Sequence, residues 1–112
     1  MFTHVDNSMT IAQEEIFGPV LVVIPFEDDD DAVRIANDSA YGLSGGVYSA
    51  SLDRSMAVAR RVRAGTMGVN GGIWYGADVP FGGFKDSGVG RQNGIAGFDQ
   101  YVETKSLAWP AG

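Results

Sequence analysis

A Gly-Pro pair stands directly in front of an apolar run, and this feature constrains the fold of the chain most strongly. Gly18 and Pro19 precede Val20–Pro25, a continuous series of mostly β-branched residues. Such a run is typical of a strand that is buried on both faces. Proline fixes its own φ and glycine reaches conformations that other residues avoid, so the pair sets the angle of entry into the strand. The residues before the bend are therefore expected at the mouth of a sheet, where open α/β sheets bind ligands.

Two side chains before this bend have complementary chemistry. Glu15 and Phe17 are two positions apart, so an extended backbone points both side chains to the same side. A carboxylate beside an aromatic ring suits a ligand that carries vicinal hydroxyls next to a flat ring, such as a nucleoside. The alternative interpretation is a solvated glutamate and a core phenylalanine, and the residues alone leave both open.

The remaining pattern alternates strands and helices. It predicts an α/β fold with an open parallel βαβαβ sheet and flanking helices, and it gives one domain at most. After the first strand, the predicted elements are helix Asp29–Asn37, strand Leu43–Tyr48, helix Leu52–Ala64, strand Thr66–Val69, helix Gln92–Val102 and strand Lys105–Trp109. A glycine-rich loop fills residues 70–90, and loops of this length are usually functional.

Charge and composition exclude several classes of function. The formal net charge is −6, which argues against non-specific binding to nucleic acids or anionic membranes. The sequence lacks a long apolar stretch and a secretory leader pattern, so we expect no membrane insertion and a cytoplasmic location. The four aspartates at 28–31 lack the spacing of a calcium loop and instead favour a helix start. With no cysteine and the single histidine His4, we expect no metal site.

Several motifs, in one order along the chain, resemble the NAD(P)-dependent aldehyde dehydrogenases. The first is EEIFGPV at Glu14–Val20, and the most extended is PFGGFKDSGVGR at Pro80–Arg91. Between them lie Ala36–Ser39 with Tyr41–Leu43, and Ala64–Thr66 with Val69-Asn70; Tyr101–Lys105 follows. The resemblance runs from about Thr3 to the end and covers the C-terminal part of a full-length member. It implies that residues 1–103 are an incomplete piece of the catalytic domain and that residues 104–112 are an oligomerisation strand and tail.

The resemblance also implies roles for individual residues. Glu15 is expected to accept hydrogen bonds from the nicotinamide ribose of NAD or NADP, and Phe17 and Leu43 are expected beside the nicotinamide ring. A group of mostly aromatic side chains is expected to line the tunnel for the aldehyde substrate: Ile73, Trp74, Tyr75 and Phe81. An apolar tunnel favours the carbon chain of an aldehyde over a charged substrate.

The sequence departs from the family in its reacting groups. The family's reaction uses a cysteine thiolate that attacks the aldehyde, a hydride acceptor, and a glutamate that activates water. This chain has no cysteine, and it lacks the general-base glutamate and the dinucleotide-binding region, so it carries no catalytic residue. We therefore expect a C-terminal fragment that is inactive alone and that forms a homo-oligomer or associates with a missing N-terminal half. The alternative is a non-catalytic oligomerisation or interaction module derived from the family.

Overall fold

The computed structural model describes residues 1–112 as a small α/β structure, and this confirms the predicted class. The elements are α1 Thr10–Gln13, α2 Asp29–Asn37, β1 Tyr41–Gly42, β2 Ser44–Val47, α3 Leu52–Ala59, β3 Thr66–Val69, β4 Phe84–Lys85 and α4 Gly94–Phe98, followed by a 3₁₀ turn at Asp99–Tyr101. None of the helices has the length and hydropathy of a transmembrane span.

The centre of the structure is a βαβ unit. Strands β2 and β3 are parallel, in a register that runs from Ser44 opposite Thr66 to Val47 opposite Val69, and α3 connects them. The side chain of Ser51 begins α3 by accepting a hydrogen bond from the Arg54 amide. The bounds of β3 are those that the sequence predicts.

Helix α2 also has the predicted bounds, and the aspartates at 28–31 serve its N-terminus. The Asp28 carboxylate accepts a hydrogen bond from the Asp31 amide. Asp29 pairs with Arg54 of α3 at 2.6 Å, and this hydrogen-bonded contact lowers the pKa of the Asp29 carboxyl. A second ion pair of 2.6 Å joins Asp30 to Arg61. The acidic run therefore begins one helix and attaches it to the next.

The predicted strand at Val20–Pro25 does not form as a regular strand. The segment makes one isolated parallel bridge, between Phe2 and Val22, and Leu21 is 59% exposed. A strand buried on both faces needs neighbouring strands and covering helices, and this chain offers only the backbone of Phe2. The regular parallel sheet therefore has two strands instead of three.

Four other predicted elements also differ from the structure. Strand β2 runs over Ser44–Val47 instead of Leu43–Tyr48. Helix α3 ends at Ala59 rather than Ala64, because the Asn37 side chain bonds the Arg61 carbonyl and the Arg63 amide. The last helix is a short α4 and a 3₁₀ turn, in keeping with the low helix propensity of the two glycines inside it. Residues 102–112 form no helix or strand and are exposed, so the predicted strand Lys105–Trp109 finds no partner within this chain.

The second pair of strands, β1 and β4, is antiparallel and depends on glycine. Tyr41 lies opposite Lys85 and Gly42 lies opposite Phe84. A Cβ added to Gly42 would stand 2.5 Å from the Arg63 carbonyl oxygen, so the backbone there has no room for a side chain. Gly65 is equally restricted, because the backbone of Gly82 occupies the space next to it.

The core is small for a chain of this length. Only 8 of 112 residues are buried, and Val5, Val33 and Ala59 are the buried hydrophobic residues. Both tryptophans, all four tyrosines and five of the six phenylalanines are exposed. The radius of gyration is 18.8 Å, whereas a compact domain of this length has about 13 Å. The chain thus presents apolar faces that it does not cover itself.

Candidate functional site

A cleft of about 710 Å³ lies beside the end of α2, and it contains two of the three predicted cofactor-binding residues. Glu15 contributes from the segment after α1, and Leu43 contributes from the link between β1 and β2. The remaining lining residues are Ala36, Ser39, Tyr41, Gly42, Ser44, Gly45, Gly46, Val62, Arg63, Ala64, Met67, Asp86 and Ser87.

The Glu15 carboxylate is available to a ligand. The residue is exposed, and its side chain forms neither a hydrogen bond nor an ion pair with the rest of the chain. Each oxygen of an ionised carboxylate can accept hydrogen bonds, so this side chain can receive two neighbouring hydroxyls at once. Eight of the other fourteen lining residues are Gly, Ala or Ser, whose small side chains leave room for a ligand to approach the backbone.

Phe17 does not share this cleft. Its side chain is 95% exposed, and it lies outside the cleft lining. The backbone turns sharply around it, because the Gly18 amide donates to the Ile16 carbonyl at 2.8 Å and the Val20 amide donates to the Gly18 carbonyl at 2.7 Å. The bend expected at Gly18-Pro19 therefore exists, but within this chain it directs the aromatic ring to solvent. The role of Phe17 beside a nicotinamide stays a prediction.

The predicted tunnel residues lie on the loop after β3. Tyr75 and Phe81 make an edge-to-face contact with ring centroids 5.2 Å apart. Trp74 is 76% exposed and Tyr75 is 62% exposed, while Ile73 is half-buried. The structure thus brings two of the four side chains into contact and leaves the outer aromatic surfaces uncovered.

Leu43 connects the two regions. A second cleft, of about 450 Å³, is lined by Leu43 and Phe81 together with the glycine-rich residues 82–83 and 87–92. Phe81 is held there by a backbone bridge to Gln92, with hydrogen bonds of 2.7 and 2.8 Å. Leu43 is therefore shared by the cleft of Glu15 and the cleft that contains Phe81.

Sequence reasoning missed the part that Ser87 plays in this site. Its hydroxyl accepts a hydrogen bond from the Gly42 amide at 2.9 Å, and it lines both clefts. The signal available in the sequence was the lone hydroxyl inside the glycine-rich motif at 80–91, where Ser87 is followed by Gly88.

The side chains form no metal-holding group, and the single histidine does not line the cleft. No group of three or more His, Cys, Asp or Glu residues could hold a metal ion. His4 is exposed, and its side-chain hydrogen bond is with the adjacent Thr3. The arrangement offers a hydrogen-bonding carboxylate in the same cleft as the apolar side chain of Leu43, and these can bind and orient a ligand.

The comparisons with known proteins agree on one family. The family model described as the aldehyde dehydrogenase family matches residues 1–107. A Staphylococcus saprophyticus protein provisionally named an aldehyde dehydrogenase is 52% identical over 108 residues, which cover 96% of this chain and 22% of that protein. The betaine aldehyde dehydrogenase of Brucella melitensis is 46% identical over 107 residues, again covering 96% of this chain and 22% of the relative.

Solved structures give the same result. An aldehyde dehydrogenase of Mycobacterium tuberculosis in complex with NAD⁺ is 48% identical, with a TM-score of 0.89 over 99% of this chain and 23% of that chain. The indole-3-acetaldehyde dehydrogenase of P. syringae, also in complex with NAD⁺, is 48% identical, with a TM-score of 0.88 over 95% of this chain and 21% of the other. The present chain therefore spans about a fifth of the length of the relatives it matches.

Proposed function

Because the chain belongs to the aldehyde dehydrogenase family, we propose that it supplies the C-terminal part of an NAD(P)-dependent aldehyde dehydrogenase. In this role it contributes part of the nicotinamide-ribose site and part of the aldehyde tunnel. A complete active site requires a further polypeptide segment, and the chain alone does not oxidise aldehydes.

The observation that carries this proposal is that Glu15 and Leu43 line one cleft although 28 positions separate them in the sequence. A carboxylate that accepts two ribose hydroxyls makes charge-assisted hydrogen bonds, which are stronger than neutral ones. The unoccupied hydrogen-bonding capacity of Glu15 and the apolar side chain of Leu43 both fit a nicotinamide nucleoside. When bound, the nicotinamide accepts the hydride from the substrate.

The absence of a cysteine is the reason why we expect the chain to be inactive by itself. Aldehyde oxidation in this family begins with a cysteine thiolate, and the chain contains none. In the complete active site, Glu15 binds and orients the ribose and Leu43 packs against the nicotinamide ring. The loop that carries Tyr75 and Phe81 excludes water from an apolar aldehyde once the further segment covers its exposed rings. The nucleophile, the general base and the dinucleotide-binding region must come from the missing segment.

Complementation tests the proposal directly. The chain is mixed with a polypeptide that carries the remaining N-terminal part of a relative, including its dinucleotide-binding region and cysteine, and NADH formation is measured with short and aromatic aldehydes. The mixture is expected to turn over, and each component alone is expected to match the blank. Aldehyde-dependent NADH formation by the 112-residue chain alone, or failure of the two parts to form any complex, contradicts the proposal.

A matched pair of variants assigns the effect to the cleft. Glu15→Gln in the mixture is expected to raise the KM for NAD by about 10- to 100-fold, because a hydrogen bond to a charged group contributes about 1.5–3 kcal/mol. Glu14→Gln is the control, since Glu14 is also exposed but lies outside the cleft. Equal KM values for the two variants remove Glu15 from the nucleotide site.

A second candidate function rests on the uncovered apolar surface. The exposed aromatic residues and the unpaired segment at 102–112 also suit a non-catalytic oligomerisation or interaction module. Titration with NAD while the fluorescence of Trp74 and Trp109 is recorded separates the two. Saturable quenching that Glu15→Ala abolishes supports the nucleotide site, and a flat titration combined with stable self-association supports the module.

A further inference from the structure

The C-terminal end of α2 receives side-chain donors from two parts of the chain, the N-terminal segment and the segment that contains β4. The last carbonyls of a helix have no partner within the helix and must find donors elsewhere. From the N-terminal side, the side-chain amides of Asn7 and Gln13 both donate to the Asp38 carbonyl at 2.9 Å. From the loop side, Lys85 Nζ donates to the Asn37 carbonyl at 2.8 Å and to the Ser39 carbonyl at 2.9 Å.

Lys85 is suited to this position by its charge, and its backbone shows that it is firmly held. An ammonium at the C-terminal end of a helix interacts favourably with the helix dipole. Lys85 has a φ of +54°, in the left-handed region that a lysine rarely adopts. Such a conformation persists where surrounding contacts determine it, and here those contacts are the two carbonyls and the pairing of β4 with β1.

The residues that follow Lys85 bind the backbone that forms one wall of the cleft. The Asp86 amide donates to the Ala40 carbonyl at 3.0 Å, and the Ser87 hydroxyl accepts from the Gly42 amide at 2.9 Å. Leu43 comes next in the chain, and its carbonyl accepts from the Thr66 amide at 3.2 Å. Lys85 itself lines neither cleft.

We propose that Lys85 is a positioning residue that holds the Gly42–Leu43 wall of the cleft by attaching β4 to the C-terminal end of α2. The identity of the ligand as a nicotinamide nucleotide rests on the proposed function, whereas the attachment does not. Lys85 acts through the backbone of residues 40–43 and touches no ligand.

Amide hydrogen exchange on the full 112-residue chain tests the attachment without any cofactor. In Lys85→Met, exchange of the Gly42 and Asp86 amides is expected to become about tenfold faster or more, as expected for the loss of one hydrogen bond to a charged group. The Asn70 amide, which donates to the Val47 carbonyl at 2.8 Å in the βαβ unit, is expected to keep its rate. Methionine keeps the unfavourable φ and a similar length while it removes the ammonium.

Two further variants complete the test. Lys85→Arg restores two donors and is expected to return the Gly42 and Asp86 rates to near the wild-type values. Lys105→Met removes the only other lysine, from the exposed C-terminal segment, and is expected to change neither rate. The proposal is overturned if wild-type Gly42 and Asp86 are unprotected, if Lys85→Met accelerates Asn70 equally, or if Lys85→Arg fails to restore protection.

The KM for NAD of the same variants, measured in the mixture with the complementing N-terminal polypeptide, judges the proposed function separately. A KM that rises about tenfold in Lys85→Met but not in Lys105→Met supports both conclusions. Selective loss of protection with no turnover of NAD by wild type or any variant in the mixture supports the positioning role and refutes the nucleotide assignment. Equal KM values for Lys85→Met and wild type overturn the positioning role.

Discussion

The uncovered surface of the chain predicts the thermodynamics of its association with a complementing polypeptide. The accessible surface is 8608 Å². A compact protein of 11.9 kDa exposes about 6,000 Å² according to the size dependence of folded monomers. The excess of about 2,600 Å² on this chain, together with an equal area on a partner, amounts to about 5,200 Å², which is the size of the largest obligate interfaces (about 2,000–5,000 Å² or more in total). We therefore expect the free chain to self-associate and to bind an N-terminal partner.

The expected heat-capacity change follows from this area. About 57% of a typical protein surface is apolar, and we take the same share for the excess area. Burial changes the heat capacity by about −0.45 cal/mol/K per apolar Å² and by about +0.26 cal/mol/K per polar Å². The share of this chain is then about −0.4 kcal/mol/K, and an equal share from the partner gives about −0.8 kcal/mol/K. A heat-capacity change of this size distinguishes a hydrophobic core that the two polypeptides share from a smaller interface between two separately folded domains.

Titration calorimetry at several temperatures measures this quantity, and sedimentation measures the state of the free chain. The slope of the binding enthalpy against temperature is expected near the value above, after correction for dissociation of the self-associated chain. A monodisperse monomer at micromolar concentration that binds no apolar dye refutes the reasoning. A strong complex with a heat-capacity change near zero refutes it as well.

Three further predictions concern single substitutions. Gly42→Ala is expected to lower the free energy of unfolding by about 1–3 kcal/mol in urea titrations, because the added Cβ overpacks against the Arg63 carbonyl. Gly72→Ala is the control: its added Cβ has nothing within 4 Å, so it is expected to be neutral or slightly stabilising. Ser51→Ala removes the N-cap of α3 and should lower the free energy of unfolding by about 1 kcal/mol; an unchanged urea midpoint contradicts this. The hydrogen bond from Arg54 lowers the pKa of the Asp29 carboxyl below 3.8 in the folded state. The free energy of unfolding is therefore expected to differ most between wild type and Arg54→Met above pH 3.8, and this difference is expected to disappear as the pH falls through the lower folded-state pKa. A difference that grows on acidification contradicts the pairing of Arg54 with Asp29.

Local signals in the sequence were sufficient for the elements whose stabilising contacts are close in the chain. The bounds of α2 follow from its acidic first turn and the Asp28 cap, and β3 follows from its apolar residues after a glycine. The early end of α3 could not be predicted from local sequence, because the Arg61 carbonyl and the Arg63 amide are bonded by the side chain of Asn37, which lies on α2. Tertiary contact here overrode helix propensity.

The candidate site likewise has features that local sequence predicts and features that depend on distant contacts. The Gly18-Pro19 pair placed Glu15 before a bend, and the resemblance paired Glu15 with Leu43, which the structure brings to the same cleft. The orientation of Phe17 could not be deduced from the alternation of an extended strand, because two tight turns replace the strand at that point. A strand at Val20–Pro25 likewise needs neighbours that this chain does not contain.

The number of residues between the paired strands differs between the two small sheets, and this implies an order of formation during folding. Ser44 pairs with Thr66 across a short connection, whereas Tyr41 pairs with Lys85 across about twice as much chain. Loop-closure entropy favours the nearer contact, so we expect the βαβ unit to nucleate first and the β1–β4 ribbon to dock afterwards. Substitutions in the β1–β4 pair should then change mainly the unfolding rate and leave the folding rate nearly unchanged.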